Sequence, residues 1–280
     1  MFAVAWMVGT FISFCAMAVA ARELSGDVSV FQMLFFRSAI GLLCIAAILG
    51  LTTQRAGIHL NRVGLHGLRN VFHFAGQYGW FLGIGLLPLA EVFALEFTVP
   101  MWTLLVAAVA LQERITARKL TAVVLGLVGV LVIAQPGYAI LDPAAFIVLA
   151  AAVCYAVAHT CTKSLSRTEP AISILFYMCV IQLPIALVLS LPGWQWPVGR
   201  EWLWLAVIGI TALTAHYCMA KAMLYAEVTT VVTLDFFRLP LIAIVGVLLY
   251  HEPFEISLLL GGLLMLSGNL ISLQRMGVRS

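Results

Sequence analysis

Apolar residues fall in ten long blocks, separated by short polar links, that cover nearly the whole chain. Each block holds about 20 residues, which is the number a helix needs to cross a bilayer core of roughly 30 Å. The blocks are apolar on all sides and lack the period-two alternation of barrel strands, so they predict helices, which satisfy their own backbone hydrogen bonds in lipid. We expect an all-α polytopic membrane protein whose ten transmembrane helices lie at residues 2–21, 29–51, 64–85, 90–111, 119–135, 143–162, 170–191, 201–220, 227–249 and 255–273.

The composition leaves no room for a soluble domain. Of the 280 residues, 63% are hydrophobic and only 10% are charged, and the mean hydropathy is +1.09. The formal net charge of +3 is small and forms no basic face, so nucleic acid is not an expected partner. The first block has no basic residues before it and is too long for the core of a signal peptide, so we expect a retained span.

The distribution of Lys and Arg over the links predicts the orientation. The outer links would hold only Arg22 and Arg200 if the N-terminus lies in the cytoplasm. The cytoplasmic side would then hold Arg55, Arg62, Arg114, Arg118, Lys119, Lys163, Arg167, Lys221, Arg275 and Arg279. Because cytoplasmic links carry the excess of Lys and Arg, we expect both termini to be cytoplasmic.

An internal repeat divides the chain into two halves. The segment LPLAEVFALEFTVPMW of the fourth block is similar to LYAEVTTVVTLDFFRLPLIAIVGVLLYHEPF of the ninth. Glu113 ends the fourth block and Gly129 follows 16 residues later, a spacing that Glu252 and Gly268 repeat in the second half. Because each half has an odd number of spans, the halves should have opposite orientations, as in many secondary transporters. We expect the two repeats at residues 1–138 and 139–280.

Three prolines lie near the middle of spans, where each removes a backbone hydrogen bond. We expect Pro100 in the fourth span and Pro240 in the ninth to act as hinges near the binding site, and Pro184 to interrupt the seventh. The AEV sequences of the two repeats align Glu91 with Glu227 only approximately, because four extra residues then precede the proline of the second repeat.

Together these segments resemble a known family. Its features are Arg37 in FFRSAIG, LLPLAEVFALEFTVPMWTLL, LQERITARKLTAVVLGLVGVLVIAQPG and the ninth-block segment quoted above. The chain resembles the drug/metabolite transporter superfamily, and within it the ten-span proteins that carry two EamA-type repeats. The resemblance covers essentially the whole chain and implies a secondary carrier in a bacterial inner membrane. It does not specify the substrate, since members move amino acids, nucleobases, vitamins, S-adenosylmethionine or other metabolites.

Basic and polar residues inside the spans are candidates for a transport site, because charge is costly in lipid. Arg37 lies about 12 Å into the second span and either pairs within the protein or binds a substrate carboxylate or phosphate. In the third span, Arg69, His73, Gln77 and Trp80 share one helical face. We expect His73 and Gln77 either to line a cavity or to bond neighbouring helices. Arg69 either joins them or extends to the cytoplasmic interface.

Acidic residues lie in the two spans that contain the repeat. Glu96 of the fourth span either exchanges a coupling proton or is held by hydrogen bonds or an arginine. Asp235 and Arg238 of the ninth span are three residues apart and either pair with each other or form a relay. We expect Glu113 and Glu252 to fix the links that follow them by hydrogen bonds.

Histidines and aromatic residues complete the candidate binding set. His159 of the sixth span and His216 of the eighth either bond neighbouring helices or bind substrate, and Tyr217 follows His216. Trp80 and Trp102 either stack on a planar substrate or contact lipid and neighbouring helices.

We find no nucleotide, metal or hydrolase motif, and the six cysteines lack ligand spacing, so we expect neither a cofactor nor a metal. The expected function is alternating-access transport of a small polar metabolite, such as an amino acid or a related zwitterion or organic anion. The site would lie between spans 3, 4, 8 and 9, with contributions from spans 1 and 6, and a proton is the candidate coupling ion. Two alternatives stay open: a lipid flippase or non-transporting sensor, and an intramembrane lipid-modifying enzyme that uses His73, His216 and Glu96.

Overall fold

The computed structural model describes residues 2–51, 61–134, 143–252 and 256–273. All regular structure in these ranges is helical. The helices are α1 (Phe2–Glu23), α2 (Val30–Leu51), α3 (Val63–Leu86), α4 (Leu89–Glu96), α5 (Val99–Ala110), α6 (Ala117–Ala134), α7 (Pro143–Ser166), α8 (Ala171–Ser190), α9 (Glu201–Tyr225), α10 (Val228–Leu234), a 3₁₀ turn (Asp235–Phe237), α11 (Arg238–Tyr250) and α12 (Ile256–Leu273). The expected boundary between the two repeats, together with Arg55, Arg275 and Arg279, lies outside the described residues.

Each expected span has a counterpart in this list. Eight are single helices, the fourth consists of α4 and α5, and the ninth consists of α10, the 3₁₀ turn and α11. Six segments of the described chain, with α4 and α5 counted as one, are long and apolar enough to cross a membrane by themselves. The all-helical fold of a polytopic membrane protein is therefore confirmed.

Each of the two broken spans is interrupted a few residues before a proline. Span 4 breaks at Phe97 and Thr98, and Pro100 lies in the first turn of α5. Span 9 breaks at the 3₁₀ turn, and Pro240 lies in the first turn of α11. A proline is tolerated in a first helical turn because its missing N–H would have no intrahelical partner there. Pro184 differs from the expectation, since α8 continues through it without a break.

Helix packing relates the two halves. Span 1 (α1) packs along span 8 (α9), and the corresponding pair, span 6 (α7) and span 3 (α3), packs in the same way. Span 2 packs along span 7, and span 5 along span 10. A Cβ atom added to Gly79 would lie 3.0 Å from both Ala151 Cβ and the Ile147 carbonyl oxygen, so only glycine permits this approach of α3 to α7.

Glu113 and Glu252 end the two broken spans with the same geometry. The residue before each has a left-handed backbone, with φ of 53° at Gln112 and 54° at His251. Glu113 Oε1 accepts the backbone N–H of Val228, the first residue of α10, at 3.2 Å. At the other end of the bundle, Glu252 Oε1 accepts the N–H of Leu89, the first residue of α4, at 3.0 Å. We call these contacts the Glu113 latch and the Glu252 latch.

The latches establish that spans 4 and 9 are antiparallel, because each span starts where the other ends. They also correct the alignment of the repeats. Leu89 corresponds to Val228, and Glu113 and Glu252 each follow 24 residues later, so the broken spans have equal length. The pairing of Glu91 with Glu227 was therefore wrong by three positions, and the four extra residues are not an insertion.

Basic side chains hold the chain at both ends of the bundle. At the Glu113 end, Lys119 pairs with Glu113 at 3.2 Å and also with Glu227. At the same end, Lys163 Nζ donates to the carbonyl of Met223 in the last turn of α9 and to that of Ala226 just after it, each at 2.6 Å. At the Glu252 end, Arg22 donates to Glu252 at 3.3 Å and to the Leu87 carbonyl at 3.0 Å. Each latch is thus reinforced by a cation from its own end.

Candidate functional site

Three charged side chains meet where spans 4 and 9 are broken. Glu96 is the last residue of α4, Asp235 begins the 3₁₀ turn, and Arg238 is the first residue of α11. Arg238 Nη2 donates to Glu96 Oε1 at 2.8 Å and to Asp235 Oδ2 at 3.0 Å. We call these three residues the carboxylate cluster. Two carboxylates share one guanidinium, so the ionised cluster carries one surplus negative charge.

Aromatic side chains surround the carboxylate cluster. The Arg238 guanidinium lies over the rings of Phe14 and Phe93, at 4.6 and 4.7 Å from their centroids, as expected for cation–π contacts. Trp80 Nε1 donates to Glu96 Oε2 at 2.7 Å. Glu96 is therefore held from both sides, and its carboxylate has a fixed position at the break of span 4.

A second cluster lies beside the first and contains arginines that form no ion pair with a carboxylate of the described residues. Arg37 Nη1 donates to Gln182 Oε1 at 3.3 Å. The Gln77 amide, oriented by its hydrogen-bond network, places its oxygen 2.7 and 2.9 Å from the two terminal nitrogens of Arg37 and its nitrogen 3.0 Å from Gln182 Oε1. In the described part of the chain, Arg37 forms no ion pair.

Arg69 extends this group. Its Nε donates to Thr162 Oγ1 at 2.9 Å and its Nη1 to Asn70 Oδ1 at 2.8 Å. Both Arg37 and Arg69 contact the Met178 sulfur, at 3.7 and 3.8 Å. Arg69 is 2% exposed, so it points into the bundle and does not reach the interface. We call Arg37, Arg69, Gln77, His73, Asn70 and Gln182 the arginine–amide cluster.

Gln182 connects this cluster and was missed in the sequence. Its amide nitrogen donates to His73 Nδ1 at 2.9 Å and to Asn70 Oδ1 at 3.2 Å, while its oxygen accepts from Arg37 and Gln77. It is fully buried in the otherwise apolar α8. A lone amide in a long apolar span was the available signal, because a polar group in lipid needs a partner.

A small cavity separates the two clusters. Its free volume is about 20 Å³, close to the room that one water molecule occupies. The lining residues are Phe14, Met17, Gln77, Trp80, Glu96, Tyr155, His159, His216, Met219, Asp235 and Arg238. Asp235 Oδ1 and His159 Nδ1 are buried and have no hydrogen-bond partner among the described residues. The cavity therefore offers free polar atoms but no room for a metabolite in this conformation.

The structure brings together most of the predicted site residues. Gln77, Trp80, Glu96, His159, His216, Asp235 and Arg238 line the cavity, and Arg37 and His73 lie behind Gln77. Tyr217 does not line it, since its ring packs against Trp6 at 5.9 Å and under the Lys221 ammonium. Trp102 is half-buried and also lies outside the lining. No group of acidic residues, His and Cys in the described ranges could hold a metal.

A larger opening lies at the Glu252 end of the bundle. Its volume is about 530 Å³, and polar residues of the link after α1 and of the link before α9 line it. Gln32 is one of its lining residues and donates to the Gln195 carbonyl at 2.6 Å. Phe81 of its wall is adjacent to Trp80 of the central cavity, and the two rings are in contact at 5.2 Å.

Comparison with known proteins identifies the family. The EamA-like transporter family matches residues 1–135 and, a second time, residues 142–274. The chain belongs to this family. A crystal structure of another protein aligns with this EamA-like chain at a TM-score of 0.79, with 20% identity and coverage of 97% and 96% of the two chains, which shows the same fold.

Relatives of this EamA-like protein are named as transporters of small molecules. The S-adenosylmethionine uptake transporter of Rickettsia felis is 25% identical over 95% of this chain and 90% of its own length. The riboflavin transporter of Brucella anthropi is 28% identical over 84% and 85%. The pseudopaline exporter of Pseudomonas aeruginosa is 27% identical over 90% and 89%. The protein is therefore an integral, multi-pass membrane transporter of small metabolites and not an enzyme.

Proposed function

We propose that this protein is a secondary carrier that moves a small zwitterionic or anionic metabolite through the central cavity by alternating access. The observation that carries the proposal is the separation of charge across the cavity. The carboxylate cluster has a surplus negative charge on one side. On the other side, the arginine–amide cluster has two arginines for which no acidic partner lies in the described part of the chain. A substrate with an ammonium and a carboxylate would offset both.

The position of the cavity supports this function. Broken spans near the midplane of inverted repeats are the usual place for substrate sites in secondary transporters. Here Glu96, Asp235 and Arg238 all lie at such breaks. Buried ionisable groups cost free energy in a membrane and are retained where they serve transport or pairing. Asp235 Oδ1 is buried and finds no hydrogen-bond partner in the ranges that the structure describes, which favours a role in binding over a purely structural pair.

The latches support alternating access. Both are formed in this structure, and the cavity between them has room for about one water molecule, so this conformation corresponds to an occluded state. Opening one latch at a time would expose the cavity to one side of the membrane. The proposed orientation places the basic Glu113 end in the cytoplasm of a bacterial cell and the Glu252 end outside. The surplus carboxylate is the proposed site of a coupling proton.

Exchange of substrate across the membrane of sealed proteoliposomes tests the function. Vesicles preloaded with a defined mixture of amino acids, S-adenosylmethionine, riboflavin and dicarboxylates are diluted into the same labelled compounds, and exchange is measured by mass spectrometry. We expect saturable exchange of at least one compound that carries a carboxylate, and a loss of at least tenfold in Glu96→Gln. Exchange no greater than in protein-free vesicles would contradict the proposal, as would an unchanged rate in Glu96→Gln.

A matched control separates the site from the fold. Glu201, the first residue of α9, accepts the backbone N–H of Val198 at 2.8 Å in an exposed contact and lines neither the central cavity nor the larger opening. Glu201→Gln removes the same charge while keeping an acceptor oxygen, so exchange should remain at the wild-type rate. A comparable loss in both variants would mean that the effect of Glu96→Gln does not come from the cavity.

A further inference from the structure

Arg37 is a buried cation whose contacts with the described residues are all neutral. It is 2% exposed and contacts the Gln77 oxygen, the Gln182 oxygen and the Met178 sulfur. Its Nε has no partner among the described residues. A guanidinium removed from water normally has its charge offset by a carboxylate or phosphate, which accepts two parallel hydrogen bonds. Arg37 therefore has an unused capacity to bind an anion.

The Gln77 amide oxygen occupies the place where an anionic oxygen would bind. It lies 2.7 and 2.9 Å from the two terminal nitrogens of Arg37, which are the distances of charge-assisted hydrogen bonds. An amide oxygen has the shape of one carboxylate oxygen but carries only a partial charge. It accepts hydrogen bonds from the two terminal nitrogens of Arg37, but it does not neutralise the positive charge of the guanidinium.

Gln77 is also the residue through which Arg37 meets the central cavity. Gln77 lines that cavity, whereas Arg37 does not. A change of rotamer in Gln77 would uncover the terminal nitrogens of Arg37 on the cavity side. The other contacts of Arg37 would stay in place, because Gln182 is fixed by His73 and Asn70. Arg69, which touches the same Met178 sulfur, adds a second positive charge behind the subsite.

We propose that Arg37 forms the anion subsite of the carrier and that Gln77 is a displaceable stand-in, replaced during transport by a carboxylate oxygen of the substrate. The proposal rests on the proposed function and adds to it a specificity-determining residue and the substrate group it recognises. When Gln77 rotates away from Arg37, it also loses its hydrogen bond to Gln182. Substrate entry therefore requires that this bond break. Substrates without an anionic group cannot displace the amide and are rejected.

The first test replaces the stand-in with a permanent anion. Gln77→Glu places a carboxylate where the amide oxygen lies and removes the N–H that Gln77 donates to Gln182. Because the new charge pair with Arg37 should outweigh that lost hydrogen bond, the thermal unfolding midpoint of the purified protein should rise by a few degrees. The matched control is Gln32→Glu. Gln32 is equally buried but donates to the Gln195 carbonyl at 2.6 Å, so its replacement by an acceptor should lower the midpoint. A fall in Gln77→Glu as large as that in Gln32→Glu would overturn the proposal.

The second test uses acetate as the probe, titrated against chloride at constant ionic strength and neutral pH. Gln77→Ala removes the stand-in, so acetate should raise its unfolding midpoint at concentrations at least fivefold lower than for the wild type. Gln77→Glu, whose own carboxylate fills the subsite, should not respond. Arg37→Gln in the Gln77→Ala background should also lose the response. No acetate response in Gln77→Ala, or a response that persists after loss of Arg37, would overturn the proposal.

Phosphate in a parallel titration distinguishes the kind of anion. The subsite is proposed for a carboxylate, so phosphate should shift the Gln77→Ala midpoint less than acetate does, and a larger shift with phosphate would overturn that assignment. Failure of the subsite is separable from failure of the carrier. Exchange in proteoliposomes that survives in Arg37→Gln would reject the subsite alone, whereas absence of exchange together with the predicted acetate responses would reject the transport function alone.

Discussion

Glu252 accepts the backbone N–H of Leu89 at 3.0 Å and so joins the end of span 9 to the start of span 4. The equivalent contact, Glu113 to Val228, joins the end of span 4 to the start of span 9 at the opposite end of the bundle. The two broken spans are thus tied to each other twice by the same chemistry. Since an N–H at a helix start has no intrahelical acceptor, each glutamate satisfies a donor that would otherwise be buried without a partner.

Glu113→Ala and Glu252→Ala should destabilise the protein by similar amounts. Each removes the acceptor of a helix-start N–H, which costs about 1–3 kcal/mol for a buried donor. Each substitution also removes an acidic partner from a cation, Lys119 for Glu113 and Arg22 for Glu252, so the two effects should be comparable. Chemical unfolding in detergent measures both. A free energy of unfolding equal to wild type in either variant would show that the latch does not hold its end of the bundle.

Arg238→Met should be among the most destabilising single substitutions. It leaves the Glu96 and Asp235 carboxylates facing each other without a cation, and breaking a buried ion pair costs about 3–5 kcal/mol. Addition of Asp235→Asn removes the repulsion and should recover part of the loss. A double-mutant cycle from unfolding midpoints gives the coupling energy. Additive effects would mean that Arg238 and Asp235 do not interact.

Asp235→Asn should uncouple transport from a proton gradient. Among the described residues, one carboxylate oxygen of Asp235 has no partner, whereas both oxygens of Glu96 are hydrogen-bonded, so Asp235 is the group open to a proton. We expect substrate exchange between equal pools to continue in this variant while accumulation driven by an imposed pH difference is lost. Accumulation at the wild-type level would place the coupling elsewhere.

Gly79→Leu should prevent close packing of α3 and α7. A Cβ at this position already lies 3.0 Å from Ala151 Cβ, so a larger side chain forces the helices apart. Gly67, on the same helix, has no atom within 4 Å of an added Cβ and provides the control Gly67→Leu. We expect loss of the monodisperse peak in size-exclusion chromatography for Gly79→Leu only. Normal elution of both variants would show that glycine is not required at this contact.

The spans, the repeat and most of the charged site could be predicted from the sequence. Long apolar blocks and the Glu–Gly spacing are local patterns, and Glu96, Asp235 and Arg238 are conspicuous in an apolar background. The alignment of Glu91 with Glu227 was wrong because it followed the shared AEV letters. The equivalent positions of the two repeats are Leu89 and Val228, whose backbone N–H groups are each bound by a glutamate. Leu89 lies just before its AEV sequence, whereas Val228 is the last residue of its own, so matching the letters gives a shifted alignment.

Three further predictions failed or were missing because they depend on contacts between helices, which the sequence does not report. Gln182 acts through four neighbours on two helices, and no sequence period reports such contacts. Tyr217 follows His216 directly, and adjacent helical residues point about 100° apart, so one faces the cavity and the other does not. Pro184 does not break α8, whereas the breaks before Pro100 and Pro240 coincide with the charged contacts between spans 4 and 9.

Accessibility of the cavity from each side of the membrane tests the account most directly. A cysteine-free protein with Met17→Cys in the cavity wall is reconstituted and exposed to a membrane-impermeant thiol reagent from one side at a time. Glu252→Ala should increase labelling about fivefold, and only from the Glu252 side. Glu113→Ala should increase it only from the Glu113 side. A fivefold change in the population of the open state corresponds to about 1 kcal/mol. Equal labelling from both sides in either variant, or none in both, would contradict alternating access through this cavity.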